Sequence, residues 1–341
     1  MKIAIDLGTT YSVVYVLGRG MVVREPSAIA VNRDTDQVIA YGEKARGMLG
    51  RTPRAIEVIR PLREGVIANF DGAREMLRHY VQVAGEGHWI KRYEVILCVP
   101  HGATPVEMEA LRREAFAAGA HRADLVREPF AAALGAGLPI HEPQGNLVVD
   151  IGGGTTEATA ISLNNVVHCE SLRMAGNTMD QAVEEYFRTH HHFAIGETTA
   201  ESVKIRYGSV VEDGPDYNFE VKGLDVHSGR PAAMRVSTAE IREALEPTVR
   251  NIVEAMRRCI EHLPPELAGD ILTEGAALVG GGALLRGWVH RLEDEVRLRV
   301  RIDDDPPMSV TRGLIRILED RDRYGDLIAN SEDGGRPSII E

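Results

Sequence analysis

The 341-residue chain carries 39 lysines and arginines against 51 aspartates and glutamates, a formal net charge of −12. That balance sets aside nucleic acid as a main partner, because binding a phosphate backbone needs a concentrated basic face. With 44% hydrophobic and 26% charged residues, the composition is that of an ordinary soluble protein long enough for two cores. Three scattered cysteines, Cys98, Cys169 and Cys259, make no disulfide framework and fit a reducing cytoplasm. No apolar run approaches the roughly 20 residues of a membrane-spanning helix. A single lysine precedes the first apolar run, so no secretory leader is expected.

In chain order, residues 2–10 form a short apolar run that ends in Asp6 and a glycine turn, and residues 13–17 resume in β-branched and aromatic residues. This spacing predicts a hairpin. Residues 95–99, with Cys98, read as a buried strand. Thr104, Pro105 and Glu107 place an N-cap, a first-turn proline and a capping-box acid ahead of a helix. Residues 146–157 then repeat the opening grammar: apolar strand, Asp150, glycine turn, threonine, second strand. A repeated supersecondary unit predicts two related halves facing one cleft.

Met179, Ala182, Val183, Tyr186 and Phe187 recur on one helix face. Pro231 and Pro264–Pro265 are expected in loops, and Ser237 with Glu240 forms a second capping box. Residues 277–287 run from a buried strand through Gly280, Gly281 and Gly282 toward a helix start, with Trp288 expected in helix packing. The polar, glycine-containing stretch after residue 330 is expected to be disordered.

Two facing Asp–Gly–Thr hairpins suit phosphate. Glycines let backbone N–H groups approach without an intervening side chain, and threonine hydroxyls add donors. Asp6 and Asp150, at the strand ends, can hold Mg²⁺ through its waters, since that ion dehydrates reluctantly. A lone Asp-x-Gly-Thr is equally well ordinary turn chemistry; two copies on matching strands favour the phosphate site. The third glycine element would let a flat nucleoside lie close to the backbone.

Together these three elements resemble the actin/Hsp70/sugar-kinase ATPase superfamily and, within it, the bacterial MreB family. The likeness extends through Arg24–Ser27, Ile59–Ile67, Glu128–Pro129, Ala136–Pro139, Gly196–Glu197 and Pro264–Leu267, and loosens after about Asp305. The resemblance implies an α/β, actin-like ATPase fold of two related domains, each a central mixed sheet flanked by helices, with a nucleotide cleft between them. Domain I would span 1–143 with a small insertion at about 32–67, and domain II 144–306 with an insertion at about 179–238. Residues 307–341 would return to domain I.

ATP (or GTP) and Mg²⁺ would occupy the cleft. Asp6, Gly8, Thr9, Thr10 and Tyr11 would form the first phosphate hairpin. Asp150, Gly152, Gly153, Gly154, Thr155 and Thr156 would form the second. Asp180, Glu201, Lys204, Gly280, Gly281, Gly282 and Leu284 would surround the nucleoside. Glu128 would position the attacking water, with Thr155 beside it; a helix-start acid favoured by the dipole is the plainer account of Glu128. Tyr11 stands where the family usually has Asn, and Arg127 where it usually has a second Glu.

The resemblance further implies a cytoplasmic filament of paired protofilaments at the inner membrane face, with slow ATP hydrolysis. Its partners would be copies of itself and membrane proteins of the cell-elongation machinery, and its role cell-wall synthesis and rod shape. A filament for another cargo, such as magnetosomes or plasmids, shares the same cleft. A small-molecule kinase would need a second substrate pocket, and an Hsp70-type chaperone a peptide-binding domain. Trp89 and Ile90 beside Lys91 and Arg92 have the composition of an interfacial anchor; packing beneath the following strand is the alternative. The run 189–192, with three histidines, reads as a solvated helix end, and Asp303–Asp305 as a charged loop.

Overall fold

The computed structural model describes residues 1–86 and 92–329. Trp89, Ile90 and the stretch from residue 330 lie outside the described residues. β1 (Lys2–Leu7), β2 (Tyr11–Val16) and β3 (Gly20–Pro26) make an antiparallel meander. A small sheet follows, from β4 (Ile29–Asn32), β5 (Gln37–Tyr41) and β6 (Ile56–Ile59), with α1 (Gly42–Met48) between the last two. The two-residue strands β7 (Leu62–Arg63) and β8 (Val66–Ile67) close a tight hairpin. Parallel strands need crossovers. α2 (Phe70–Gly85) brings β9 (Tyr93–Val99) back beside β1, and α3 (Pro105–Ala117) brings β10 (Ala120–Arg127) beside β9. The sheet order is β10-β9-β1-β2-β3.

α4 (Glu128–Gly135) leads into the second half. There β11 (Asn146–Ile151), β12 (Thr156–Ser162) and β13 (Asn165–Leu172) form another meander. After α5 (Gly176–His191), a second small sheet holds β14 (Phe193–Ala194), β15 (Asn218–Asp225) and β16 (Arg230–Ser237), with α6 (Glu197–Tyr207) inserted. α7 (Thr238–Glu261) and α8 (Pro265–Glu274) cross over to β17 (Ala276–Val279), and α9 (Trp288–Val296) to β18 (Val300–Ile302). The order β13-β12-β11-β17-β18 repeats the first sheet strand for strand. α10 (Ser309–Glu319) and α11 (Arg321–Tyr324) are the last described α-helices, followed by a 3₁₀ turn at Gly325–Leu327.

Side chains alternate across a strand, and that decides where the acids point. Ile3 and Ile5 enter a core with Leu77 of α2 and Leu111 of α3. Leu147, Val149 and Ile151 enter another with Val183 of α5 and Val249 of α7. The intervening Ala4 and Val148 meet in a third core, shared by the two sheets and built on Phe130 of α4 and Leu314 of α10. Asp6 and Asp150 have the parity of Ala4 and Val148, so both aspartates are directed toward this middle layer. Strands buried on both faces read as continuous apolar runs, as these do. α4 and α10 cross closely at glycines: a Cβ on Gly135 would strike the Ser309 carbonyl, and one on Gly313 the Ala131 carbonyl.

Both capping boxes are present, at Thr104–Glu107 and Ser237–Glu240. Three expectations are corrected. Pro265, expected in a loop, is the first residue of α8, where a missing N–H costs no helical bond. Pro231 lies in β16 rather than a loop, on an edge strand where its missing donor is tolerated. The third glycine element passes through a short 3₁₀ turn at Gly281–Leu284, and the helix begins only at Trp288. Trp288 itself is fully buried, its indole N–H donating to the Gly282 carbonyl at 3.0 Å.

Candidate functional site

The two hairpins meet turn to turn. Register pairs Leu7 with Ser12 and Ile151 with Thr156, so each connection holds four residues, 8–11 and 152–155. A Cβ on Gly153 would collide with the Thr10 hydroxyl, and one on Gly154 would stand 2.8 Å from the Thr9 hydroxyl. These glycines are therefore required by approach, not by backbone angle. The β7–β8 turn docks on both: Gly65 N–H donates to the Thr9 hydroxyl at 3.1 Å, and the Glu64 N would lie 2.9 Å from a Cβ on Gly154. Thr10 donates to the Asn177 side-chain carbonyl at 3.1 Å, fastening the first hairpin to the start of α5.

Behind these turns lies a cavity of about 450 Å³, in the range of small-molecule sites. Asp6, Gly8, Thr9, Thr10 and Tyr11 line one wall; Asp150, Gly152, Gly153, Gly154 and Thr155 line the other. Glu128, Asp180, Glu201, Lys204, Gly280, Gly281, Gly282 and Leu284 also reach it. Thr156 does not. It is fully buried and its hydroxyl donates to the Met174 carbonyl at 2.7 Å, so its place is structural.

The floor of the cavity is strongly acidic. Burial raises Asp6 from 3.8 to about 6, against a lowering hydrogen bond from Thr311 of α10 (3.1 Å). Burial raises Asp150 from 3.8 to about 7, reinforced by Glu157 and then by Asp6. Glu128, the first residue of α4, is pushed well above the carboxylate range by burial and then by Asp150, Glu157 and Asp6. Glu157 lies behind the floor without lining the cavity; burial raises it, partly offset by donors from Ser171 (3.1 Å) and the His101 backbone (3.0 Å) and by nearby Arg127. Among the described residues, no lysine, arginine or histidine makes a salt bridge to any of the four. Buried carboxylates without a cation partner are costly, and a hard divalent cation is the group such an oxygen set fits. Asp6 and Asp150, directed to one layer from opposite sheets, are the residues that would hold it.

The other end is fastened by cations. Lys204 of α6 pairs with Asp180 at 2.9 Å and donates to the Gly176 carbonyl at 2.9 Å. Burial nonetheless lifts Asp180 to about 6, with Lys204 pulling it down. Arg46 of α1 pairs with Glu201 and donates to the Tyr11 hydroxyl at 2.6 Å. Gly280, at φ 83°, backs the acid end: a Cβ there would strike the Asp150 carboxylate. Leu284 stands at the mouth, 62% exposed.

Glu157, Arg46, Asn177 and Thr311 were not singled out from the sequence. Glu157 was the legible one, since counting the repeated hairpin places it directly across from Asp150. Arg46, Asn177 and Thr311 reach the site only through tertiary packing.

Two repeated five-stranded sheets closing on one such cleft define an actin-like protein. Consistent with this, the crystal structure of MreB5 of Spiroplasma citri bound to ADP superposes with a TM-score of 0.90 at 37% identity, covering 95% of this chain and 98% of that one. The MamK double helical filament gives 0.78 at 24% identity, covering 94% and 99%, a likeness of fold. The MreB/Mbl protein family matches over residues 1–326. The chain is 42% identical over 335 residues to the cell shape-determining protein MreB of Escherichia coli (strain K12), covering 97% of this chain and 96% of that protein. It is 38% identical over 321 residues to the cell shape-determining protein Mbl of Bacillus subtilis (strain 168), covering 94% and 96%. The chain belongs to the MreB/Mbl family.

Proposed function

We propose that this chain is an ATP-binding actin-like filament protein that shapes the cell, with the nucleotide held between the paired hairpins. The observation carrying the reading is the turn-to-turn approach of Thr9–Thr10 and Gly153–Gly154 over one acid-floored cavity. Backbone N–H groups of both turns and the hydroxyls of Thr9 and Thr155 supply phosphate donors, while the Thr10 hydroxyl is held by Asn177. Lys204, Glu201 and the 280–282 loop flank the nucleoside. Mg²⁺, held by Asp6 and Asp150 through water, would supply charge neutralisation at the phosphates.

Phosphoryl transfer to water depends on orientation and charge stabilisation more than on a strong base. Glu128 suits orientation, because its carboxyl sits at a helix start and is kept toward its protonated form by burial and then by its acidic neighbours. Slow turnover is the expectation that goes with this role. Filaments of paired protofilaments would lie on the inner membrane face, with Trp89 and Ile90 as the anchor, and would organise the elongation machinery. Repetition along a polymer converts weak single contacts into firm attachment.

Pelleting and electron microscopy with ATP and Mg²⁺, with and without anionic vesicles, test this. Nucleotide-dependent filaments that coat vesicles support it; a chain that ignores adenine nucleotides overturns it. Trp89→Ser with Ile90→Ser should leave assembly intact and detach the filaments, and continued coating would place the anchor elsewhere.

A further inference from the structure

A second group of ligating side chains lies away from the cleft, on the outer strand of the second sheet. His168 and Glu170 are two apart on β13, so both leave the same face of the strand. Cys169 between them turns the other way and accepts from the Thr159 hydroxyl at 3.1 Å. The end of α7 lies over that face. Arg258 and His262 are four apart there, neighbours on one side of a helix. One ligating atom from each of His168, Glu170 and His262 lies within 4.8 Å of the others.

We propose that His168, Glu170 and His262 form a binding site for a divalent transition-metal ion, zinc first, that pins the end of α7 to β13. Two imidazoles and one carboxylate are a recurrent zinc donor set, whereas Mg²⁺ and Ca²⁺ favour oxygen alone. The surroundings already fix the donors. His262 Nδ1 faces the Arg258 carbonyl at 2.8 Å, which places the proton on that nitrogen and leaves Nε2 with its lone pair. His168 Nε2 lies 3.0 Å from Glu170 Oε1 and donates to it, so an ion entering here displaces the proton from that nitrogen and takes its place between the two ligands. The other carboxylate oxygen, Oε2, is taken by Arg258 Nε at 3.0 Å.

Two further features set the cost of binding. The His168 and His262 rings are stacked, with centroids 4.7 Å apart and planes 8° from parallel, so the exposed His262 must tilt for both lone pairs to meet one ion. Arg258 competes for Glu170 and repels a dication. Removing that guanidinium should therefore tighten the site, which adventitious binding to surface histidines does not predict.

The test uses the full chain without nucleotide, titrated with Zn²⁺ against a chromophoric chelator. Thermal unfolding with and without Zn²⁺ and the visible spectrum with Co²⁺ accompany it. One equivalent should bind and raise the unfolding temperature. His168→Ala, His262→Ala and Glu170→Gln should each weaken binding by about tenfold or more, while Arg258→Gln strengthens it severalfold. His192→Ala with His227→Ala, a separate ring pair, should change nothing. Equal affinity in wild type and His262→Ala overturns the site, as does loss that follows His192 and His227, or weaker binding in Arg258→Gln.

Discussion

The two phosphate hairpins share length, register and topology, yet differ at the three positions that matter most. Where the first turn carries Thr9 and Thr10, the second carries Gly153 and Gly154; where the first strand pair sets Val13 opposite Asp6, the second sets Glu157 opposite Asp150. The first difference is steric. Two turns that touch cannot both bear side chains, so one supplies hydroxyls and the other the space for them. The second difference is electrostatic. Burial raises both aspartates; the carboxylate across the ladder then pushes Asp150 further, to about 7, while the Thr311 hydroxyl holds Asp6 to about 6. An internal repeat therefore need not be a functional duplicate, because each half is shaped by the other.

Breaking the steric complement should have the largest effect. Gly153→Val forces the turns apart at Thr10, and a displacement of about an ångström at a phosphate site can cost about 10²-fold. Nucleotide binding followed by fluorescence should be lost, and restored in part when Thr10→Gly is added. Unaltered affinity in the single variant would refute the turn-to-turn site. Next in size, Glu128→Ala removes the orienting carboxyl and should keep nucleotide affinity within a few-fold while slowing phosphate release by about a hundredfold. Equal turnover would remove Glu128 from the hydrolytic role.

The electrostatic difference predicts a pH dependence. Asp6 and Asp150 ordinarily titrate at 3.8, and in the folded chain at about 6 and about 7. Between these values the folded chain holds protons that the unfolded chain has released. Stability from these groups is thus fully present below about pH 4 and lost as pH rises through about 6 to 7. Denaturant unfolding without nucleotide or divalent cation should show this decline, with Mg²⁺ restoring more stability at the high end. Glu157→Gln keeps the acceptor for His101 and removes the charge across from Asp150. It should move the upper midpoint downward, and an unmoved midpoint would mean Glu157 does not act on Asp150. The smallest effect belongs to Tyr11→Asn, which removes a half-exposed partner of Arg46. Nucleotide exchange measured by stopped flow should change only a few-fold, the scale of an exposed polar contact.

Much of this architecture was legible in the chain itself. The repeated apolar strand, acid and glycine turn at residues 2–10 and 146–157 announced two alike halves, and strand parity alone directs Asp6 and Asp150 to the faces opposite Ile5 and Val149. Both capping boxes were readable because they are local, closed within four residues. Thr156 lies outside the cavity lining for the same reason that Glu157 escaped notice. Motif reading treats the turn as one string, whereas register decides which of its residues point inward.

The sequence by itself therefore determined the elements, their order, the pairing of each hairpin and the chemistry available at its turn, since all of these depend on neighbours in the chain. Only the tertiary structure decided that Gly153 and Gly154 receive Thr10 and Thr9, that Thr311 returns from 305 residues away to hold Asp6, and that His262 meets His168. Those contacts arise where α4 and α10 join two sheets and where α7 lies across a third strand. Such distances are set by packing of whole elements, which no local pattern encodes.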